Sequence, residues 1–182
     1  AGKIPEPKPL KVSKDEAVCG KAPKFDETLI VDGGTKGLRN VVVSLKDIYT
    51  GKAWNLPEEG LVLLSSMELT FQSDLDTGKI SGDLQQALKK NSLPLSQNAT
   101  LSIEKGGSQW LITDKENQQA YRIRKEKGKL NVYGLGLDQN GCQFIPHLVV
   151  IPPARSFSIL NNDGILHNIH TYSVVNRSLN MA

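Results

Sequence analysis

The chain has 182 residues, of which 38% are hydrophobic and 5% aromatic, with a formal net charge of +3 and three histidines. That length suffices for one well-buried domain, or for a small domain carrying an insertion. No run approaches the roughly 20 apolar residues of a transmembrane helix, which excludes a membrane span of that kind. The Lys and Arg residues are dispersed among acids rather than gathered with aromatics, which leaves nucleic-acid binding without a basis.

Residues 1–16 read as an extended basic N-terminal arm, with Pro5, Pro7 and Pro9 set among Lys3, Lys8, Lys11 and Lys14 and no periodicity. The first residue is Ala rather than Met, as in a mature chain that has lost a signal peptide, so a periplasmic or extracellular location is expected. Cys19 and Cys142 are the only cysteines and belong to no CxxC or CxxCH motif, which argues against a zinc finger and against haem attachment. An even cysteine count in an exported chain predicts a Cys19–Cys142 disulfide, with two buried free thiols as the alternative. A bond closing so long a loop contributes up to about 4–5 kcal/mol in the chain-entropy model.

Residues 28–45 have the pattern strand, glycine turn, strand, with Gly33, Gly34 and Gly37 in the turn and Val41, Val42 and Val43 in the second strand. No helix and no GKS or GKT follows the glycines, so they do not read as a phosphate loop. Gly51-Lys52-Ala53-Trp54 leads to a turn at Pro57-Glu58-Glu59-Gly60 and a further apolar strand over residues 61–64.

Residues 65–135 differ in character and read as an inserted α+β module, rich in Lys, Gln and Ser. One convincing helix is predicted over residues 82–90, capped by Ser81, with Leu84, Ala87 and Leu88 on one face and Asn91 as its stop. Strands are predicted over 99–104, 109–113, 120–124 and 130–133, with Trp110, Tyr121 and Tyr133 as the module's small core. Arg122, Arg124, Lys125, Lys127 and Lys129 read as a solvated strand face. Asp74-Leu75-Asp76-Thr77-Gly78 puts its acids out of register for a calcium loop and reads as an acidic turn before the capped helix. Asn98 and Asn176 fall in glycosylation sequons, a pattern common by chance. The flanking segments Leu61-Val62-Leu63 and Leu137-Asp138-Gln139 read as two halves of one strand, which places the ends of the module close together.

A second apolar β block occupies residues 136–182. Asn140-Gly141 and Pro152-Pro153 mark turns, residues 148–151 and 156–160 read as strands, and Asn161-Asn162-Asp163-Gly164 turns the chain into a strand over residues 165–172. On such a strand His167 and His170 face opposite sides, so they do not form a simple two-histidine clip.

The segment Asn161-Asn162-Asp163-Gly164-Ile165-Leu166-His167-Asn168 resembles the strand of plastocyanin-like cupredoxins that carries their first copper-ligand histidine. Together with Cys19-Gly20, Leu38-Arg39-Asn40-Val41-Val42-Val43, Asp138-Gln139-Asn140-Gly141-Cys142-Gln143-Phe144-Ile145-Pro146-His147 and His167-Asn168-Ile169-His170, it makes the chain similar to exported bacterial cupredoxin-like proteins. The resemblance implies a mainly β, Greek-key β-sandwich over residues 17–64 and 136–182, incomplete at its C-terminal edge and interrupted by the small α+β insertion. It also implies that His167 is a copper ligand and that Asn168 is the neighbour that ties the copper loop down. His147 and His170 are alternative ligands with no assigned place in that motif. Blue copper needs two histidines and a thiolate, usually with a weak axial methionine. In the family the cysteine, second histidine and methionine come from a C-terminal loop, so copper is expected only if a loop outside this chain completes the site.

Without a GxSxG elbow or an HExxH helix, the chain is not expected to be an enzyme. Two functions are expected: an exported cupredoxin-like subunit associated with an electron-transfer system, with a redox protein as partner, or a metal-free structural or assembly subunit of a multi-chain complex or filament. In the second, other protein subunits meet the arm, the insertion and the open sheet edge, and complete the sheet.

Overall fold

The computed structural model describes residues 3–47, 49–51, 56, 58, 60–90, 93, 95, 99–116, 119–151 and 156–182. The Pro152-Pro153 turn, the Asn91 helix stop, the Asn98 sequon, the segment from Lys52 to Trp54, and Pro57 and Glu59 of the following turn lie outside these residues. In chain order the elements are β1 (Pro9–Leu10), α1 (Glu16–Cys19), β2 (Lys24–Phe25), β3 (Leu61–Met67), a 3-10 turn (Leu69–Phe71), α2 (Gln72–Thr77), α3 (Gly82–Lys90), β4 (Leu101–Gly106), β5 (Gln109–Asp114), β6 (Gln119–Glu126), β7 (Lys129–Gln139), β8 (Phe144–Ile145), β9 (Ser158–Asn161), β10 (Ile169–His170) and β11 (Asn180–Met181). The chain is mainly β, with antiparallel sheets. It divides into two compact units: unit 1 is Ala1–Gly51 with Asp138–Leu148 and Asn161–Ala182, and unit 2 is Lys52–Leu137 with Val149–Leu160.

Unit 2 is built on the strand order β3-β7-β6-β5-β4, with β9 also paired to β7. Strict alternation in β5, β6 and β7 puts Trp110, Ile112, Tyr121, Ile123, Leu130 and Val132 on one face, as the register of Ile112 with Tyr121 and Ile123 with Val132 requires. Leu75 of α2 and Leu84 and Leu88 of α3 cover that face. In α3 the pair Leu84 and Leu88 recurs one turn apart, and the Leu84 N–H donates to Ser81 Oγ at 3.1 Å, an N-terminal cap. The acids of the 74–78 stretch serve this packing. Asp74 accepts from the Ser81 hydroxyl, and Asp76 accepts from Trp110 Nε1 at 3.2 Å and pairs with Lys105 Nζ at 2.8 Å.

Three details of unit 2 differ from the sequence expectation. A second helix, α2, precedes α3; its short Gln-Ser-Asp-Leu-Asp-Thr sequence buries a single residue, Leu75, and so carries no periodic signal. Tyr133 is on the opposite face from Trp110 and Tyr121, because it alternates with the buried Leu130-Val132 set. There it donates to Glu126 at 2.7 Å, with the Arg124 guanidinium 5.3 Å from its ring centre. Leu61 and Leu135 are antiparallel partners, so the flanking segments are adjacent strands rather than halves of one. Arg122 and Arg124 of the basic run both bind the carboxylate of Glu58, and Arg122 Nη2 also donates to the Leu56 carbonyl at 2.8 Å.

Unit 1 is made of short pairings. The N-terminal segment is not a free arm: Pro9 and Leu10 pair with Phe25 and Lys24, and the Asp26 N–H donates to the Lys8 carbonyl at 2.8 Å. The expected hairpin over residues 28–45 reduces to one bridge, Val31 with Leu38, around a turn in which the Asp32 carboxylate accepts from the Gly34 and Thr35 N–H groups at 3.1 and 2.7 Å. Residues 41–45 belong to no strand, and Val43 and Leu45 are 87% and 81% exposed. The sequence has strand chemistry there, but no strand edge among the described residues takes it up. Of the strand expected over residues 165–172, only Ile169 and His170 pair, with Met181 and Asn180. Residues 148–151 form no strand either.

Candidate functional site

The candidate site lies in unit 1 and grows from the end of β7. After Gln139 the chain turns over residues 140–143 and returns as β8, with Asp138 opposite Ile145 and Gln139 opposite Phe144. The turn needs two successive left-handed residues, Gly141 at φ 61° and Cys142 at φ 57°. Glycine adopts this region freely, whereas a residue with a Cβ needs outside support. Support comes from the Cys19–Cys142 disulfide, with a Cα–Cα separation of 5.1 Å, and from Lys24, which donates to the Gly141 carbonyl and to Gln143 Oε1.

Successive N–H groups in such a turn point toward a common centre and make an anion-binding nest. Here the anion comes from the chain itself. Asp163 accepts from the Gly141 N–H, from the Cys142 N–H at 2.8 Å and from His167 Nε2 at 2.7 Å. Its side chain is 3% exposed and that of His167 is 16% exposed. Burial by itself would raise the Asp163 carboxyl pKa, but the Cys142 N–H, the His167 ring and the Gly141 N–H together hold it below the ordinary carboxylate value. An ionised carboxylate only accepts, so His167 Nε2 carries the proton.

Residues 161–165 aim Asp163 into the nest. The Asp163 N–H donates to Asn161 Oδ1 at 3.1 Å, Asn161 Nδ2 donates to the Ile165 carbonyl at 2.7 Å, and Gly164 takes φ 71°. Asn162 fastens the same stretch to β7, its N–H donating to the Gln139 carbonyl and its Nδ2 to Asp138 Oδ1, both at 2.9 Å. The Asn-Asn-Asp-Gly sequence therefore acts as a clamp on the cystine turn.

The three histidines occupy three settings. His167 is bonded to Asp163, as described. His147 Nδ1 is 3.1 Å from Glu27 Oε2 in a half-exposed pair, a geometry of little energetic weight. His170 lies against Tyr172, with ring centres 4.3 Å apart. Asn168 lines the same cavity as His167, Cys19 and Cys142, of about 600 Å³. Among the described residues, one group has metal-ligand spacing: Cys142, Asp163 and His167, whose candidate ligand atoms all lie within 4.8 Å of one another.

This donor set does not fit a blue-copper centre. The sulfur of Cys142 is bonded to that of Cys19 and cannot act as a thiolate, and the cluster contains one histidine where two are needed. Sequence reasoning singled out His167, as a copper ligand, and both cysteines, as a disulfide, but not Asp163, which the structure places against His167 and the Cys142 turn. The available signal was an Asx turn placing a carboxylate four residues before a histidine. No family model matches the chain, and neither does any curated protein or solved structure.

Proposed function

We propose that this chain is an exported assembly subunit, metal-free while Cys19–Cys142 is oxidised, whose unit 1 is an open, cupredoxin-like sandwich completed by strand pairing with a second copy. The observation that carries the reading is the exposure of apolar side chains in a unit that is nonetheless cross-linked. Among the described residues, 18 of the 21 exposed large hydrophobics belong to unit 1, including Val41, Val42, Val43, Leu45 and Tyr49. A run of β-branched residues outside every strand needs both apolar cover and backbone partners, and an added β-strand supplies both. A membrane or nucleic-acid surface supplies no matching backbone groups.

The partner follows from the symmetry of the run: antiparallel pairing of residues 41–45 with the same residues of a second copy is centred on Val43, so each copy offers the other the same apolar row. Cys19–Cys142 suits an oxidising compartment, consistent with export. An electron-transfer role would need a thiolate that Cys142 cannot offer while bonded to Cys19.

Sedimentation velocity on the full oxidised chain tests this reading. Association that rises with concentration is expected, with slowed amide exchange at residues 41–45 and dissociation on replacing Val42→Lys together with Val43→Lys. A dispersed monomer across all working concentrations would overturn it.

A further inference from the structure

We infer that reduction of Cys19–Cys142 converts the clamp into a zinc-binding site formed by Cys19, Cys142, His167 and Asp163. This inference does not depend on strand pairing. The oxidised chain already brings three donors of different elements together: Cys142 Sγ, Asp163 carboxylate and His167 imidazole, with ligand atoms within 4.8 Å of one another. Cys19 lies beside Cys142, at a Cα–Cα distance of 5.1 Å.

Zinc–ligand bonds of about 2.0–2.3 Å in a tetrahedron set neighbouring donor atoms about 3.3–3.8 Å apart. Cys142, Asp163 and His167 therefore need local side-chain adjustment, and Cys19, which stands outside that cluster, swings its sulfur in beside Cys142 once the S–S bond opens. Two thiolates, an imidazole and a carboxylate suit zinc, which has no geometric preference of its own and accepts S, N and O donors. The support expected around such ligands is also present. Asp163 is oriented by the Gly141 and Cys142 N–H groups, and the cavity of about 600 Å³ lined by Cys19, Cys142 and His167 gives the ion an entry path.

The chemistry balances as follows. A dithiol reductant gives two electrons and two protons to the cystine; the S–S bond breaks, two S–H bonds form, and the reductant closes to its own disulfide. On binding zinc both thiols lose their protons. His167 exchanges its Nε2 proton for one on Nδ1, so that Nε2 can ligate while the ring stays neutral. Two protons leave per zinc, and the metal replaces the disulfide as the link between Cys19 and the turn.

The test uses the full chain, reduced with a phosphine and then freed of it, and titrated with cobalt and with zinc. Binding of one metal per chain is expected, with tetrahedral ligand-field bands and thiolate-to-cobalt charge transfer, zinc displacing cobalt with release of two protons. The oxidised chain should show none of these. Competition with a chromophoric chelator should show His167→Ala and Asp163→Ala each weakening zinc affinity by at least about tenfold, while His147→Ala and His170→Ala leave it unchanged. His167→Gln, which keeps a donor for Asp163, must show the same loss and so separates ligation from folding. A reduced chain without cobalt charge transfer, or His167 and Asp163 variants that bind zinc as tightly as the parent, would overturn the inference.

Discussion

The two units hold themselves together by different means. All 16 buried hydrophobic residues found among the described residues lie in unit 2, where five strands and two helices share one apolar layer. Unit 1 buries none of its described apolar residues to that degree. Its order rests on a cystine, an Asx turn, a buried carboxylate and short strand pairs. Hydrophobic burial adds up over many residues and tolerates the loss of any one contact, whereas a unit held by a few directional links depends on each of them. A small unit with little core needs such staples to stay ordered.

The contrast breaks most directly at the cystine. With Cys19→Ser and Cys142→Ser in metal-free buffer, unit 1 should lose up to about 4–5 kcal/mol of stability. Its amides should then exchange freely, while those of Ile112, Ile123 and Val132 stay protected. Hydrogen exchange resolved by residue makes the comparison, and equal losses in both units would remove the distinction drawn here. Next in size, Leu84→Ala in the apolar layer should cost about 2–5 kcal/mol. By contrast, Val43→Ala in the dissociated chain should stay within about 0.5 kcal/mol. Paired denaturant melts measure that difference.

Acid sharpens the contrast from the other side. The folded-state pKa of Asp163 is depressed, so its contribution is fully present above the unfolded value of about 3.9 and is lost as pH falls through the lower folded value. Exchange at the Gly141 and Cys142 amides should accelerate through that window, and Asp163→Asn should remove this dependence. Glu58, Asp76 and Glu126 of unit 2 are depressed in the same direction, so the comparison with Asp163→Asn isolates the clamp from general acid loss.

How much was legible follows the same division. The alternation of Trp110 with Ile112 and of Tyr121 with Ile123, and the Ser81 cap, are local signals, and the structure uses them as strands and as a helix start. Residues 41–45 carry an equally clear strand signal that no strand among the described residues pairs with, because strand formation depends on an edge elsewhere and composition does not say whether one exists. Tyr133 was misplaced because an aromatic on a strand is core only if its phase matches its neighbours. Within the site, the cysteine count pointed to the disulfide. Asp163 was hidden because Asn-Asp-Gly already has a sufficient explanation as a turn, and nothing local shows that the carboxylate fills a nest formed by residues 141 and 142.

The pairing of Leu61 with Leu135 has a consequence for the order in which the chain matures. The two cysteines are 123 residues apart, a long search for one thiol to find the other in an unfolded chain. Once β3 and β7 are side by side, the path from Cys19 to Cys142 runs along the chain to Leu61, across to Leu135 and on to the turn, which is less than half that length. Closure entropy grows with the logarithm of the loop, at about 0.6 kcal/mol per doubling. The self-sufficient unit thus acts as a folding jig for its neighbour, and oxidation of the cystine should trail formation of the sheet.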